Sequence, residues 1–155
     1  MNHQQKDAIL SLLNLHEPSR SFPNNYCFTY KDFLDSSDDF TDFSCERLGG
    51  KQGYSALIET LLAKDKSAKI FVQVYGMEED HNERFIYADT LIIFSKLSLR
   101  EINRIFNKSN LLFPSTIQEE AALSNPTFLI AENGSLIPIA KLSEDNTSLY
   151  ICWWD

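Results

Sequence analysis

The side chains able to do nucleophilic or metal chemistry in this chain are few and scattered. Cys27, Cys45 and Cys152 stand against His3, His16 and His81. A thiol–imidazole enzyme needs a histidine placed to take the thiol's proton and a third group to orient it, and no local pattern joins any of these residues. Neither a G-x-S-x-G turn nor an H-E-x-x-H helix is present, so the serine-nucleophile and zinc-protease arrangements find no foothold. The cysteines are odd in number, widely spaced and free of C-x-x-C. That argues against a disulfide framework or a structural zinc, and for buried free thiols. No catalytic residue, metal or cofactor is expected.

Carboxylates are more concentrated. The stretch DFLDSSDDFTDF, residues 32–43, holds five aspartates and three phenylalanines in twelve positions. A calcium loop needs alternating oxygen ligands and a glycine at the sharp turn, and this stretch has neither. A protein-binding surface fits better: Asp35, Asp38, Asp39 and Asp42 would steer a basic partner, and Phe33, Phe40 and Phe43 would supply desolvated anchors. The competing arrangement is a solvated turn whose rings point into the domain's own core. In MEEDHNE, residues 77–83, His81 sits among Glu78, Glu79, Asp80 and Glu83, but neighbours in a hairpin turn rarely converge on one ion, and a solvated turn is expected.

Asp89 interrupts the apolar run IYADTLIIF. By the two-residue period of a strand it shares a face with Tyr87, Leu91 and Ile93. A carboxylate there must be hydrogen-bonded, paired, placed in a bulge or set near solvent. The sharper possibility is a pocket in which Tyr87, Asp89 and Lys51 meet, with Lys51 contributed by the glycine-rich connection Gly49–Gly53. That connection could offer open N–H groups to an anion, but it lacks the phosphate-loop pattern G-x-x-x-x-G-K-[ST]. At the C-terminal CWWD, adjacent tryptophans on a strand face opposite ways, and Trp154 is the expected partner-binding ring.

The elements that must position these residues follow from periodicity. Ile9, Leu12, Leu13 and His16 form one stripe of a helix over 4–16 that Pro18 ends. Tyr26, Phe28 and Tyr30 alternate as in a half-buried strand. Tyr54, Leu57, Ile58, Leu61 and Leu62 mark a second helix. KIFVQVY and RFIYADTLIIF read as a strand pair joined through GMEEDHNE. Ser98-x-x-Glu101 has the form of a capping box opening a helix over 99–107, and Ser115-x-x-Gln118 with Thr116-x-x-Glu119 predicts a short helix over 116–123. TFLIA and SLIPIA flank Asn133-Gly134, the pair favoured in a type I′ hairpin turn, and TSLYICWW supplies a last strand.

Strands joined by hairpin-length connections predict an α+β domain, mainly an antiparallel sheet with helices packed on one face, leaving the other face free. No repeat or linker divides residues 1–155, which suit one domain. The chain carries a formal charge of −8, with six acidic residues and no Lys or Arg over 32–46. Such a balance opposes binding to a phosphate backbone, so nucleic acid is not an expected ligand. No apolar stretch reaches membrane-spanning length and the N-terminal residues read as a helix instead of a signal peptide, so a cytoplasmic, membrane-free location is expected. The resulting expectation is a non-enzymatic protein that contacts a basic partner through an acidic and aromatic surface. In general style it is similar to the immunity or inhibitor proteins that neutralise basic toxins, although no residue pattern specifies such a family. The alternative is a small enzyme or ligand-binding domain with a pocket around Asp89 and Gly49–Gly53.

Overall fold

The structure, a computed structural model, describes residues 1–14, 24–43, 50–80, 83–107 and 113–154. His16, Cys45, Gly49 and His81 lie outside the described residues.

The chain runs α1 (His3–Asn14), β1 (Asn25–Thr29), α2 (Tyr30–Phe33), β2 (Thr41–Phe43), α3 (Gly50–Lys64), β3 (Lys69–Asp80), β4 (Glu83–Ser95), α4 (Leu99–Asn107), β5 (Thr116–Glu120), β6 (Thr127–Ile130), β7 (Leu136–Pro138), a 3-10 helix (Ile139–Leu142) and β8 (Ser148–Trp153). The strands form one eight-stranded sheet in the order β5-β8-β4-β3-β1-β6-β7, with β2 added beside β4. All pairings are antiparallel except β1 with β6 and β2 with β4. The protein is thus an α+β fold built on a mostly antiparallel sheet.

The four α-helices among the described residues cover one face. Ile9 and Leu13 of α1, Phe33 of α2, Leu57, Ile58 and Leu61 of α3 and Ile102, Ile105 and Phe106 of α4 meet Val72, Val74, Ile86, Ala88, Leu91, Ile93 and Cys152 in one continuous core. At its centre Trp154 lies 5.7 Å from Phe43, 5.3 Å from Tyr54 and 5.8 Å from Phe106, measured between ring centroids. Burying an aromatic cluster of this size is a major source of folding free energy.

The opposite face is not left free as a whole. Cys27, Phe71, Ile92, Phe94, Leu129 and Leu149 gather under Ile139 of the 3-10 helix and form a second, smaller core. The segment after β7 folds over this half of the sheet, giving β4 two buried faces along its Leu91–Phe94 stretch.

Several local devices hold the elements in place. Ser98 and Glu101 form the expected capping box: the Ser98 N–H donates to Glu101 Oε2 at 2.9 Å and the Glu101 N–H to Ser98 Oγ at 3.3 Å. Just beyond α3, buried Asp65 accepts from Ser67 Oγ (2.6 Å), the Ser67 N–H (3.0 Å), Ser95 Oγ (2.7 Å) and the Lys96 N–H (2.8 Å). Burial pushes this carboxyl up, but those four donors outweigh it and bring it down to about 2. It ties the end of α3 to the exit of β4.

Two further sequence expectations change. Residues 116–120 form an edge strand instead of a helix, because Ile117 is the apolar residue they can bury and pairing with Cys152 of β8 delivers it to the main core. An eight-residue helix there would have had no apolar stripe. The β6–β7 hairpin turns with Gly134 alone at positive φ, +78°, while Asn133 keeps an ordinary φ. The Gly134 N–H donates to the Ala131 carbonyl at 2.8 Å, which describes a three-residue loop closed by a left-handed glycine in place of a type I′ turn.

Candidate functional site

The acidic segment is held largely by the molecule itself. Thr29 caps α2 through its side chain, which accepts from the Asp32 N–H at 3.2 Å. Asp32 Oδ2 in turn accepts from Thr29 Oγ1 at 2.8 Å and Gln5 Nε2 at 3.0 Å. Asp35 accepts from Ser37 Oγ (2.7 Å) and the Ser37 N–H (2.9 Å), and these bonds hold its carboxyl below the usual range. Asp38 accepts from the Met1 amino group and the Phe40 N–H, both at 2.8 Å. Lys51 Nζ donates to the Asp38 carbonyl, and to the Asp35 carbonyl at 3.1 Å. Partial burial lowers the Lys51 ammonium, against the pull of Asp38, Asp42, Asp35 and Asp39.

The rings of this segment turn inward. Phe33 and Phe43 are buried, and Phe40 is half-buried against the main core with Lys6 Nζ 3.6 Å above its ring. None of the three stands out as a free anchor. Among the residues expected to bind a partner, Asp35, Asp39 and Asp42 are exposed, whereas Asp38 and Phe40 are partly covered.

Trp154 is likewise an inward residue. Tyr150, Cys152 and Trp154 face the helices, so Leu149, Ile151 and Trp153 face the other way, and it is Trp153 that reaches solvent with 37% of its surface exposed. Both faces of this strand are apolar, so sequence alternation could not say which indole was which. The expectation for Trp154 as an outward anchor is corrected to Trp153.

Lys51 and Asp89 do not pair: Asp89 is bonded to Thr90 and Trp153. Lys51 is engaged with the carbonyls of the acidic segment. The Gly49–Gly53 connection is also not a loop in its described part: α3 begins at Gly50, whose φ is +61°, and Gly53 lies inside the helix.

Asp89 and Tyr87 occupy a different surface, created by two bulges. Cα partners run Gln73↔Thr90, then Val74↔Ala88, then Gly76↔Tyr87. The first shift leaves Asp89 as an extra residue on β4, and the second leaves Tyr75 extra on β3. The shifts cancel, so Ile86, Ala88, Leu91 and Ile93 all reach the helix-covered core, while Asp89 and Thr90 both turn to the opposite face. Strict alternation had placed Asp89 with Leu91 and Ile93; the bulge separates it from them.

On that face Asp89 is held at both oxygens. Thr90 Oγ1 donates to Oδ1 at 2.7 Å and Trp153 Nε1 donates to Oδ2 at 3.0 Å. Tyr75, 63% exposed, meets Tyr87 edge-on with centroids 6.0 Å apart and planes at 88°. Asp42 of β2 is the Cα partner of Tyr87, and its side chain is exposed while its neighbours Thr41 and Phe43 are buried. The second core covers the Leu91–Phe94 end of this face, while among the described residues no element covers the Tyr75–Asp89 end, where Tyr75 and Trp153 are exposed. Sequence reasoning grouped Asp89 with Tyr87 and set Asp42 in a different surface, but missed Tyr75, Trp153 and the register that unites all five.

A cleft of about 710 Å³ lies elsewhere, lined by Phe94, Leu123, Phe128 and Leu149 among others; Asp89, Tyr87 and Lys51 do not line it. Among the described residues no three His, Cys, Asp or Glu side chains group as a metal site would need, and no helix is long and apolar enough to cross a membrane. The two described cysteines, Cys27 and Cys152, are buried, which pushes both thiols up and away from the reactive thiolate form. Compared with known proteins, the chain matches no family model, no curated relative and no solved structure.

Proposed function

We propose that this is a non-enzymatic, cytoplasmic protein that binds a basic protein partner through the open half of its sheet. The observation that carries the reading is the exposure of Tyr75 and Trp153 beside Asp89 and Asp42 on the uncovered end of the second face. Exposed aromatic rings fixed on a rigid sheet are the residue types that anchor protein interfaces, and adjacent carboxylates select a partner of opposite charge. The chain's −8 charge adds long-range attraction for a basic protein and repulsion for nucleic acid. Compared with the sequence expectation, the surface keeps its acidic and aromatic character but changes its residues: Tyr75, Tyr87 and Trp153 replace the phenylalanines and Trp154.

Immobilised wild type, Tyr75→Ser/Trp153→Ser and Asp35→Lys/Asp39→Lys would be compared for retention of proteins from a native lysate. The expected result is a basic protein, released by salt, that the open-face double variant loses and the acidic-segment double variant keeps. Identical retention by all three would refute the assignment.

A further inference from the structure

We infer that the open face recognises an arginine side chain of its partner, with the guanidinium seated between the Tyr75 ring and the Asp89 carboxylate. The inference rests on the open half of the sheet being the binding face, and it adds the chemistry of the group bound there.

Three features favour a guanidinium over other basic groups. The Asp89 carboxylate is immobilised by one donor on each oxygen, Thr90 Oγ1 and Trp153 Nε1. A carboxylate oxygen accepts more than one hydrogen bond, so each retains acceptor capacity, and the two oxygens together form a fixed pair. A planar guanidinium fills such a pair with two parallel N–H bonds, whereas an ammonium acts as a point charge. Next, the Tyr75 ring offers an exposed flat surface, steadied edge-on by Tyr87, and guanidinium stacks on aromatic faces better than a hydrated ammonium does. Finally, there is room beside the rings: a Cβ built on Gly76 would meet nothing within 4 Å, and Gly76 is the Cα partner of Tyr87.

The bulges give this arrangement a structural cause. Without them Asp89 and Tyr75 would not both be extra residues at the same level of the β3–β4 ribbon. Paired bulges that cancel leave the core register intact on either side while re-aiming one acid and one ring to the same surface. Asp42, across from Tyr87, adds a second negative charge at the margin.

The test uses the full chain and three probes, N-acetyl-Gly-Arg-Gly-amide and its lysine and citrulline counterparts, followed by NMR through the Trp153 indole N–H, with the buried Trp154 indole as internal reference. The arginine peptide should shift the Trp153 signal saturably in the millimolar range, about fivefold more tightly than the lysine peptide, with the neutral citrulline peptide inert. Asp89→Asn, which preserves shape, and Gly76→Leu, which fills the open space without touching the core, should each weaken the arginine response about tenfold. Equal binding of arginine and lysine peptides, an unmoved Trp153 signal, or shifts confined to Asp35 and Asp39 would overturn the assignment. If a partner protein still depends on Tyr75 and Trp153 while arginine and lysine peptides bind alike, arginine is the wrong group and the binding face stands. If neither partner nor peptides respond to open-face variants, both fall.

Discussion

Two acidic regions of this molecule invite comparison. In the segment 32–43 the carboxylates are mostly occupied by the protein's own donors and the rings go inward, Phe33 and Phe43 completely. On the bulged face of β3 and β4 fewer acids are present, but Tyr75 and Trp153 go outward beside them. The density of charge in a sequence therefore says little about where a surface is available. What decides it is which groups the fold has already matched with partners, and which backbone register turns a side chain to solvent.

The sharpest way to separate the regions is to remove a ring from each. Phe43→Ala empties space against Tyr54 and Trp154, whose ring centroids lie 4.2 Å and 5.7 Å away, and should cost about 3–5 kcal/mol in urea unfolding. Tyr75→Ala should stay within about 0.5 kcal/mol, as surface changes do. If the two variants lost equal stability, the contrast between an inward and an outward aromatic region would be gone.

Asp65, outside both regions, sets the scale for a carboxylate committed to structure. Asp65→Ala strands four donors and should lose about 2–3 kcal/mol. Its folded-state value, about 2, lies below the unfolded one, so its contribution is complete above roughly pH 4 and fades as pH falls towards 2. The stability gap between wild type and Asp65→Asn, followed by thermal unfolding, should narrow across that window.

Within the acidic segment, Asp32→Ala should cost about 1 kcal/mol, since it releases Thr29 Oγ1 and Gln5 Nε2 together at the start of α2. The smallest effects on stability should come from Asp39→Lys and Asp42→Lys, each within about 0.5 kcal/mol. They should differ in binding: partner retention survives the first and is lost, or becomes insensitive to salt, with the second.

Much of the scaffold was legible in the sequence because its signals were local. The stripe Ile9, Leu12, Leu13, the face Tyr54 to Leu62, the capping box at Ser98 and the paired apolar runs of β3 and β4 each follow from a period or a short motif. The site was legible only in fragments. Asp89 stood out as a charge in an apolar strand, yet its direction depends on a bulge, and Leu91–Phe94 is apolar on both faces because two cores enclose it. With no polar alternation to read, nothing local marks the register change. The same double burial hid which tryptophan of β8 faces out. At Thr116–Glu120 the failure was of another kind: a motif of helix starts was present, but one partly buried residue, Ile117, favoured the sheet edge.

One edge of β4 is shared by two short strands, β2 along Ile86–Ala88 and β8 along Thr90–Ser95, with Asp89 at the seam. These neighbours come from distant parts of the chain. During synthesis β2 and its Phe43 emerge early, but the edge they share is completed only when residues 148–154 arrive, bringing the indole that Phe43 and Tyr54 surround. Long-range closure of this kind slows folding, so the sheet edge and its aromatic centre stay incomplete until the two distant segments meet.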